Sequence, residues 1–197
     1  MAETVRTVFL IIAAFVAGSA PFGWLYVKLF KKKDLRKLGS GSTGATNVYR
    51  AAGLPAAVIV FFLDMAKGFI FPFFFGGSYV LKIALGLAVI LGHNFSIFLK
   101  GRGGKGVASS AGVAAALAPF CLLSSFGVFV FVFVLSRIIS LSSIIAVGFF
   151  PVFCFIFGLP AEIKIFAIAA FVFVLFSHRA NIRRLFRGEE KRVSKLR

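Results

Sequence analysis

The chain has 197 residues, 60% of them hydrophobic, with a mean hydropathy of +1.00. A soluble domain of this length cannot hide so much apolar surface, so the composition excludes that class and specifies a single integral membrane domain. Lysine and arginine total 23 against 6 acids, a formal charge of +17. The basic residues cluster between apolar runs and lack the stacking aromatics of a nucleic-acid groove, so nucleic acid is excluded as a partner and the positive loops set orientation in the bilayer.

Residues 7–28 read as a retained first span with the N-terminus outside. Glu3 offsets Arg6 ahead of it, the apolar run continues past the signal-like Ala17-Gly18-Ser19-Ala20, and Lys31-Lys32-Lys33 follow. Pro21, beside Gly18, Ser19 and Ala20, predicts a kink or close packing, and Trp24 and Tyr26 suit the headgroup boundary. Residues 28–50 form a cytoplasmic polar island. Leu54–Phe75 is the second span, Gly76-Gly77-Ser78 a tight external turn, and Tyr79–Leu99 the third span, returning a second island to the cytoplasm.

Residues 107–137 read as one over-long helix or as two, broken near Pro119 and Ser124-Ser125. Two shorter apolar segments follow, 144–157 and 163–176, joined across Gly158-Leu159-Pro160. Parity favours the break, because a single crossing would leave the basic tail outside. The expected fold is therefore all-α, a polytopic bundle of seven helices, N-terminus outside and C-terminus cytoplasmic; five spans plus two re-entrant segments is the alternative. The tail, 179–197, carries eight basic residues and two acids and reads as a membrane-surface helix. Cys121 and Cys154 lie alone in apolar stretches, far apart, and read as small buried hydrophobes; no metal or other cofactor is implied.

Three islands carry the chemistry. The first, Gly39-Ser40-Gly41-Ser42-Thr43-Gly44-Ala45-Thr46-Asn47, offers Ser40, Thr46 and Asn47, with Arg50 three residues on, whose planar fork suits two phosphate oxygens. The second, Gly101-Arg102-Gly103-Gly104-Lys105-Gly106, opens directly into a helix, where Gly103, Gly104 and Gly106 would present N–H groups to an anion and Lys105 adds a full charge. It is not a Walker loop, since Leu99 stands at the first glycine position and Gly106 replaces the Ser/Thr. In the third, Ser177-His178-Arg179-Ala180-Asn181-Ile182-Arg183-Arg184, His178 and Asn181 share a helical face, and His178 serves either as a general base or as a hydrogen-bond donor. Arg137 and Ser142, in a turn with Ser140 and Ser143, are weaker candidates.

Each island is also ordinary turn material for a membrane surface. Together on one face, they suit chemistry on phosphates attached to lipid, performed by donors that position and neutralise charge. Acids are too scarce for a carboxylate metal site. Within the second span, Asp64 and Lys67 read as a structural pair one turn apart; a proton path would lack a third member. His93 reads as a satisfied core histidine.

These islands resemble the motifs of the bacterial acylphosphate-dependent, PlsY-type glycerol-3-phosphate acyltransferases. Gly39 to Arg50 resemble G-S-G-N-x-G-A-T-N-x-x-R, with Ser42 in place of Asn. Gly92 to Leu99 and Gly103 to Ser109 resemble G-H-x-F-P-V-F-L and G-G-K-G-V-A-T, departing at Ser96, Ile97 and Ser109. Ser177 to Glu190 resemble R-H-x-x-N-I-x-R-L-L-x-G-x-E except at Ser177 and Phe186, and Asp64 to Gly68 match D-x-x-K-G. The resemblance implies transfer of a fatty acyl group from acyl phosphate to the 1-hydroxyl of glycerol 3-phosphate, by a monomer in the bacterial inner membrane with its site facing the cytoplasm. It implies that Ser40, Thr46, Asn47 and Arg50 hold one phosphate. The Gly103–Gly106 loop with Lys105 would hold the acceptor's, and His178 and Asn181 would orient the hydroxyl or the oxyanion. The H-x-x-x-x-D pair of other glycerolipid acyltransferases is missing, with Phe98 and Arg183 at the fifth positions after the two histidines, which disfavours acyl-CoA as donor. A transporter for a phosphorylated solute is the rival reading; it needs a polar path through mid-bilayer, of which Asp64 and Lys67 supply one spot.

Overall fold

Backbone amides in hydrocarbon have no water to bond, so a chain this apolar must satisfy them within helices. The computed structural model describes residues 1–193 and contains no strand among them. Its helices are α1 (Ala2–Gly18), α2 (Phe22–Lys31), α3 (Ala45–Ala52), α4 (Leu54–Phe75), α5 (Tyr79–Asn94), α6 (Val107–Leu117), α7 (Pro119–Ser136), α8 (Ile139–Ile156), α9 (Ala161–Ser177) and α10 (Arg179–Phe186). They form two units, one from Met1 to Leu117 and one from Ala118 onward. Large side chains such as Phe62, Phe74, Phe131 and Phe155 stand exposed on the long helices, as lipid-facing surfaces require.

Among the described residues, five stretches are long and apolar enough to cross a bilayer: Ala2–Lys31, Leu54–Phe75, Tyr79–Leu99, Pro119–Ser136 and Ile139–Ile156. The α9–α10 pair, bent by 64°, makes a sixth if it is one broken span. The break expected near Pro119 is present, at Ala118. Proline removes an amide donor and excludes the preceding residue from helical geometry, and Ala118 accordingly takes φ −153° and ψ 65°. The piece before the break is short for a complete crossing. With 11 residues α6 spans only about 17 Å, roughly half a hydrocarbon core. By length and composition alone, five of the described stretches qualify as complete crossings, or six with the bent pair, against the seven helices expected from parity.

In the first unit, α1 packs on α5 and α4 on α6. Small residues allow both approaches: a side chain at Gly18 would strike the Val89 backbone, and one at Gly68 or Gly112 would strike the backbone of Ser109 or Met65. The predicted kink falls at Ser19–Pro21, between α1 and α2. Its exposed carbonyls are satisfied by side chains, Ser96 Oγ donating to Ser19 O at 2.6 Å and Lys67 Nζ to Ala20 O at 2.9 Å. Unwound backbone survives at membrane depth only with such partners.

In the second unit, α7 and α8 pack together across a turn in which Arg137 takes left-handed geometry (φ 57°), and α9 packs on α8. Cys121 and Cys154 are not isolated. Their thiols contact one another between α7 and α8, both buried and both free. The basic tail is not one surface helix either. Helix α10 ends at Phe186, Gly188 turns the chain with φ 69°, and Val193 N–H donates to Arg137 O at 2.8 Å. Glycine is what permits that reversal. Residues 194–197 of the expected tail helix lie outside the described residues.

Candidate active site

The first unit brings two of the three islands together. Thr43 N–H donates to Gly103 O at 3.4 Å, so the Ser/Thr-rich loop and the glycine loop share an edge. The first loop begins where Asp34 caps a short 3₁₀ turn, Leu35–Lys37. Asp34 accepts from Trp24 Nε1 at 3.0 Å and from Arg36 Nη2 at 2.7 Å. The Arg36 hydrogen bond holds this carboxylate well below the usual range, against a smaller opposing effect of burial.

Asn47 is the keystone of that loop rather than a phosphate ligand. Its side chain is buried, with Nδ2 within hydrogen-bond reach of the carbonyls of Leu35, Leu38 and Ser42 at 3.2, 2.9 and 2.8 Å. Its Oδ1 accepts from Ser40 N–H at 3.1 Å. An amide so engaged has nothing left to offer an anion, which corrects the expected contact. Ser40 and Arg50 are exposed and Thr46 half-buried on this framework, with Arg50 in the last turn of α3. Asn47→Ala is expected to lower stability by about 2–3 kcal/mol, the order for orphaning buried carbonyls and one amide. The thermal midpoint in detergent checks this; an unchanged midpoint with weakened substrate binding would restore the ligand role.

The glycine loop departs from expectation in a similar way. Gly103 N–H donates to Asn94 O at 3.1 Å and Gly104 N–H to His93 O at 3.0 Å. These two amides seat the loop on the end of α5 instead of facing a ligand. Gly106, buried with φ 82°, turns the chain into α6, and Ser109 Oγ donates back to Gly106 O at 3.1 Å. Lys105 is half-buried at the head of this turn.

The buried acid of α4 has more than the one expected partner. Asp64 Oδ1 lies 2.8 Å from Lys67 Nζ and 3.4 Å from His93 Nδ1. His93 is the third member that sequence spacing left out.

The third island lies in the second unit. His178 closes α9 and caps α10, buried, with Nδ1 2.9 Å from Val174 O. A carbonyl only accepts, so Nδ1 carries the proton and the lone pair of the neutral ring is on Nε2. Asn181 and Arg184 project from α10 onto one carboxylate: Asn181 Nδ2 donates to Glu190 Oε1 at 2.7 Å and Arg184 Nε to Oε2 at 2.6 Å. Ser140 Oγ donates to the same Oε1 at 2.9 Å. Burial opposes the charge on Glu190, but these hydrogen bonds, led by Arg184, outweigh it and hold the carboxyl below its ordinary range. Asn181 thus commits one amide hydrogen to Glu190. Ser142 is fully buried and donates to Ile138 O at 2.9 Å within its own helix, which leaves its hydroxyl only lone pairs to offer. Arg137 is exposed and contributes its carbonyl to Val193.

Glu190, Ser140 and His93 are the residues that reading the islands alone underrated. The available signal was scarcity: with 6 acids against 23 bases, a buried acid needs a dedicated partner.

Comparison with known proteins bears on all three islands. A model of the glycerol-3-phosphate acyltransferase family matches residues 8–188. The glycerol-3-phosphate acyltransferase of Aquifex aeolicus is 43% identical over 192 residues, covering 95% of this chain and 99% of the relative. Crystal structures of PlsY (YgiH), an integral membrane glycerol 3-phosphate acyltransferase, superimpose over 97% of each chain. The glycerol 3-phosphate form has a TM-score of 0.91 at 42% identity, and the lysophosphatidic acid form 0.88 at 40%. With its polar islands intact and this agreement running almost end to end, the chain belongs to the PlsY-type glycerol-3-phosphate acyltransferase family.

Proposed function

We propose that the protein transfers a fatty acyl group from acyl phosphate to the 1-hydroxyl of glycerol 3-phosphate, releasing 1-acyl-glycerol 3-phosphate and inorganic phosphate. The observation that carries the reading is the shared edge of the first two islands, joined at Thr43 and Gly103, which holds Arg50 and Lys105 on one braced framework. Two phosphorylated reactants call for such a cationic, backbone-fixed surface. The relatives' forms with glycerol 3-phosphate and lysophosphatidic acid support the acceptor and the product.

Acyl phosphate is a mixed anhydride with a good leaving group, so no protein nucleophile is needed. The acceptor oxygen attacks the carbonyl carbon, the carbonyl–phosphate C–O bond breaks, and phosphate departs with the electron pair. In this reading Lys105 neutralises the acceptor's phosphate, and Ser40, Thr46 and Arg50 the donor's. His178, with its proton held on Nδ1, takes the hydroxyl proton or orients the hydroxyl while a substrate phosphate takes it. Asn181 steadies the developing oxyanion. The enzyme acts as a monomer in the bacterial inner membrane, N-terminus outside, with the basic islands facing the cytoplasm, the side that positive loops favour.

The test presents purified protein with radiolabelled glycerol 3-phosphate and either palmitoyl phosphate or palmitoyl-CoA. Label is expected in the lipid fraction with the acyl phosphate alone. Equal transfer from the thioester would overturn the donor, and labelled solute taken up by proteoliposomes without acylation would favour a transporter.

A further inference from the structure

We propose that Asp64, Lys67 and His93 are positioning residues that fix the Gly103–Gly106 loop and, through it, the ammonium of Lys105. This rests on the reading above, in which that loop binds the phosphate of glycerol 3-phosphate.

The three side chains are buried, at 1%, 6% and 6% exposure, in the interior of the first unit. Asp64 Oδ1 faces Lys67 Nζ at 2.8 Å and His93 Nδ1 at 3.4 Å, so the carboxylate lies beside one nitrogen of the imidazole. The opposite nitrogen, Nε2, lies against Gly104, so close that a Cβ there would overlap the ring. The loop therefore meets His93 twice, at the ring and at the carbonyl that accepts Gly104 N–H at 3.0 Å, while the neighbouring Asn94 carbonyl takes Gly103 N–H. The same segment of α4 also fixes the far end of the loop. Gly68, next to Lys67, abuts the backbone of Ser109, whose hydroxyl donates to Gly106 O at 3.1 Å. Lys67 in turn reaches Ala20 O in the kink between α1 and α2.

Charges at this depth are expensive, and apolar residues would join the helices as well. What an apolar contact does not supply is direction. Asp64 sets the rotation of a ring that forms the bed of the loop, and a loop shifted by about 1 Å would misplace Lys105 enough to lose a large part of its effect. The D-x-x-K-G run of α4 is thus the mount of the anion loop.

The experiment is a double-mutant cycle on the ring and the glycine beneath it, read as KM for glycerol 3-phosphate and KM for palmitoyl phosphate. Gly104→Ala and His93→Ala are each expected to raise KM for glycerol 3-phosphate about 10-fold and to leave KM for palmitoyl phosphate within about 2-fold. In the double variant the added methyl meets no ring, so the combined effect should stay near 10-fold instead of multiplying to about 100-fold. Asp64→Asn, which keeps the shape of the site, should reproduce the selective KM rise and gives a second route if His93→Ala folds poorly. Multiplying effects, or equal shifts in both KM values, would overturn the positioning role. Coupling seen in the palmitoyl phosphate KM instead would support it and overturn only the choice of phosphate, as would a Lys105→Met variant whose glycerol 3-phosphate KM is unchanged.

Discussion

Lys105→Met is expected to reduce acyl transfer by about 100- to 1,000-fold, the usual loss on removing one preorganised charge-stabilising donor from a water-poor site. Methionine keeps the length and apolar stem of the side chain, so the glycine loop and the head of α6 should stay as they are. The expectation is stronger for this residue than for its neighbours. The amides of Gly103 and Gly104 are committed to the carbonyls of Asn94 and His93, and cannot serve as a substitute anion cradle. Arginine is not a safe replacement, because its planar fork needs a different approach to phosphate from a point charge. Initial rates with palmitoyl phosphate and glycerol 3-phosphate, beside the thermal midpoint in detergent, decide the matter. Turnover within about 5-fold of the parent at an unchanged midpoint would remove Lys105 from the reaction.

The second large effect is structural. Glu190→Ala should destabilise the second unit by about 2–4 kcal/mol, because it removes the common acceptor of Ser140, Asn181 and Arg184 from a side chain only 2% exposed. On the size scaling of thermal unfolding that is roughly 5–10 °C in the midpoint. Activity should fall with it, since Asn181 and the short helix following His178 are tied to that carboxylate.

The same group gives a signed pH dependence. Its folded pKa lies below the ordinary glutamate value of 4.5, so its contribution is fully present above that pH. It is lost as pH falls below 4.5 and through the depressed folded value, where the unfolded chain binds the extra proton first. Thermal midpoints of the parent should therefore drop more steeply on acidification from pH 5.5 to about 3.5 than those of Glu190→Gln, which has no proton to gain. Parallel curves would mean that Glu190 is not held as a carboxylate.

The two positions illustrate a division of labour within the polar islands. In the proposed reading Ser40, Arg50, Lys105 and His178 are the residues that meet the substrates. Asn47, Gly103, Gly104, Ser142 and part of Asn181 are consumed in building the loops that carry them. A polar residue in a membrane protein has two reasons to exist, to meet a ligand or to satisfy backbone exposed where a helix breaks, and composition does not distinguish them.

What the sequence by itself determined was the class and the break points. Apolar runs, basic clusters and the prolines at 21 and 119 act over a few residues, so long helices, a kink between α1 and α2, and the interruption before α7 follow from local physics. The pairing of Asp64 with Lys67 was legible for the same reason, one helical turn being a local distance. Tertiary structure alone decided which donors are spent. Asn47 reaches back to Leu35 and Leu38, His93 meets both Asp64 and Gly104, and Ser140 meets Glu190 fifty residues later. Those contacts depend on where helices cross and loops close. Crossing positions are set by small residues such as Gly18 and Gly68, whose effect is visible only once the opposing backbone is in place.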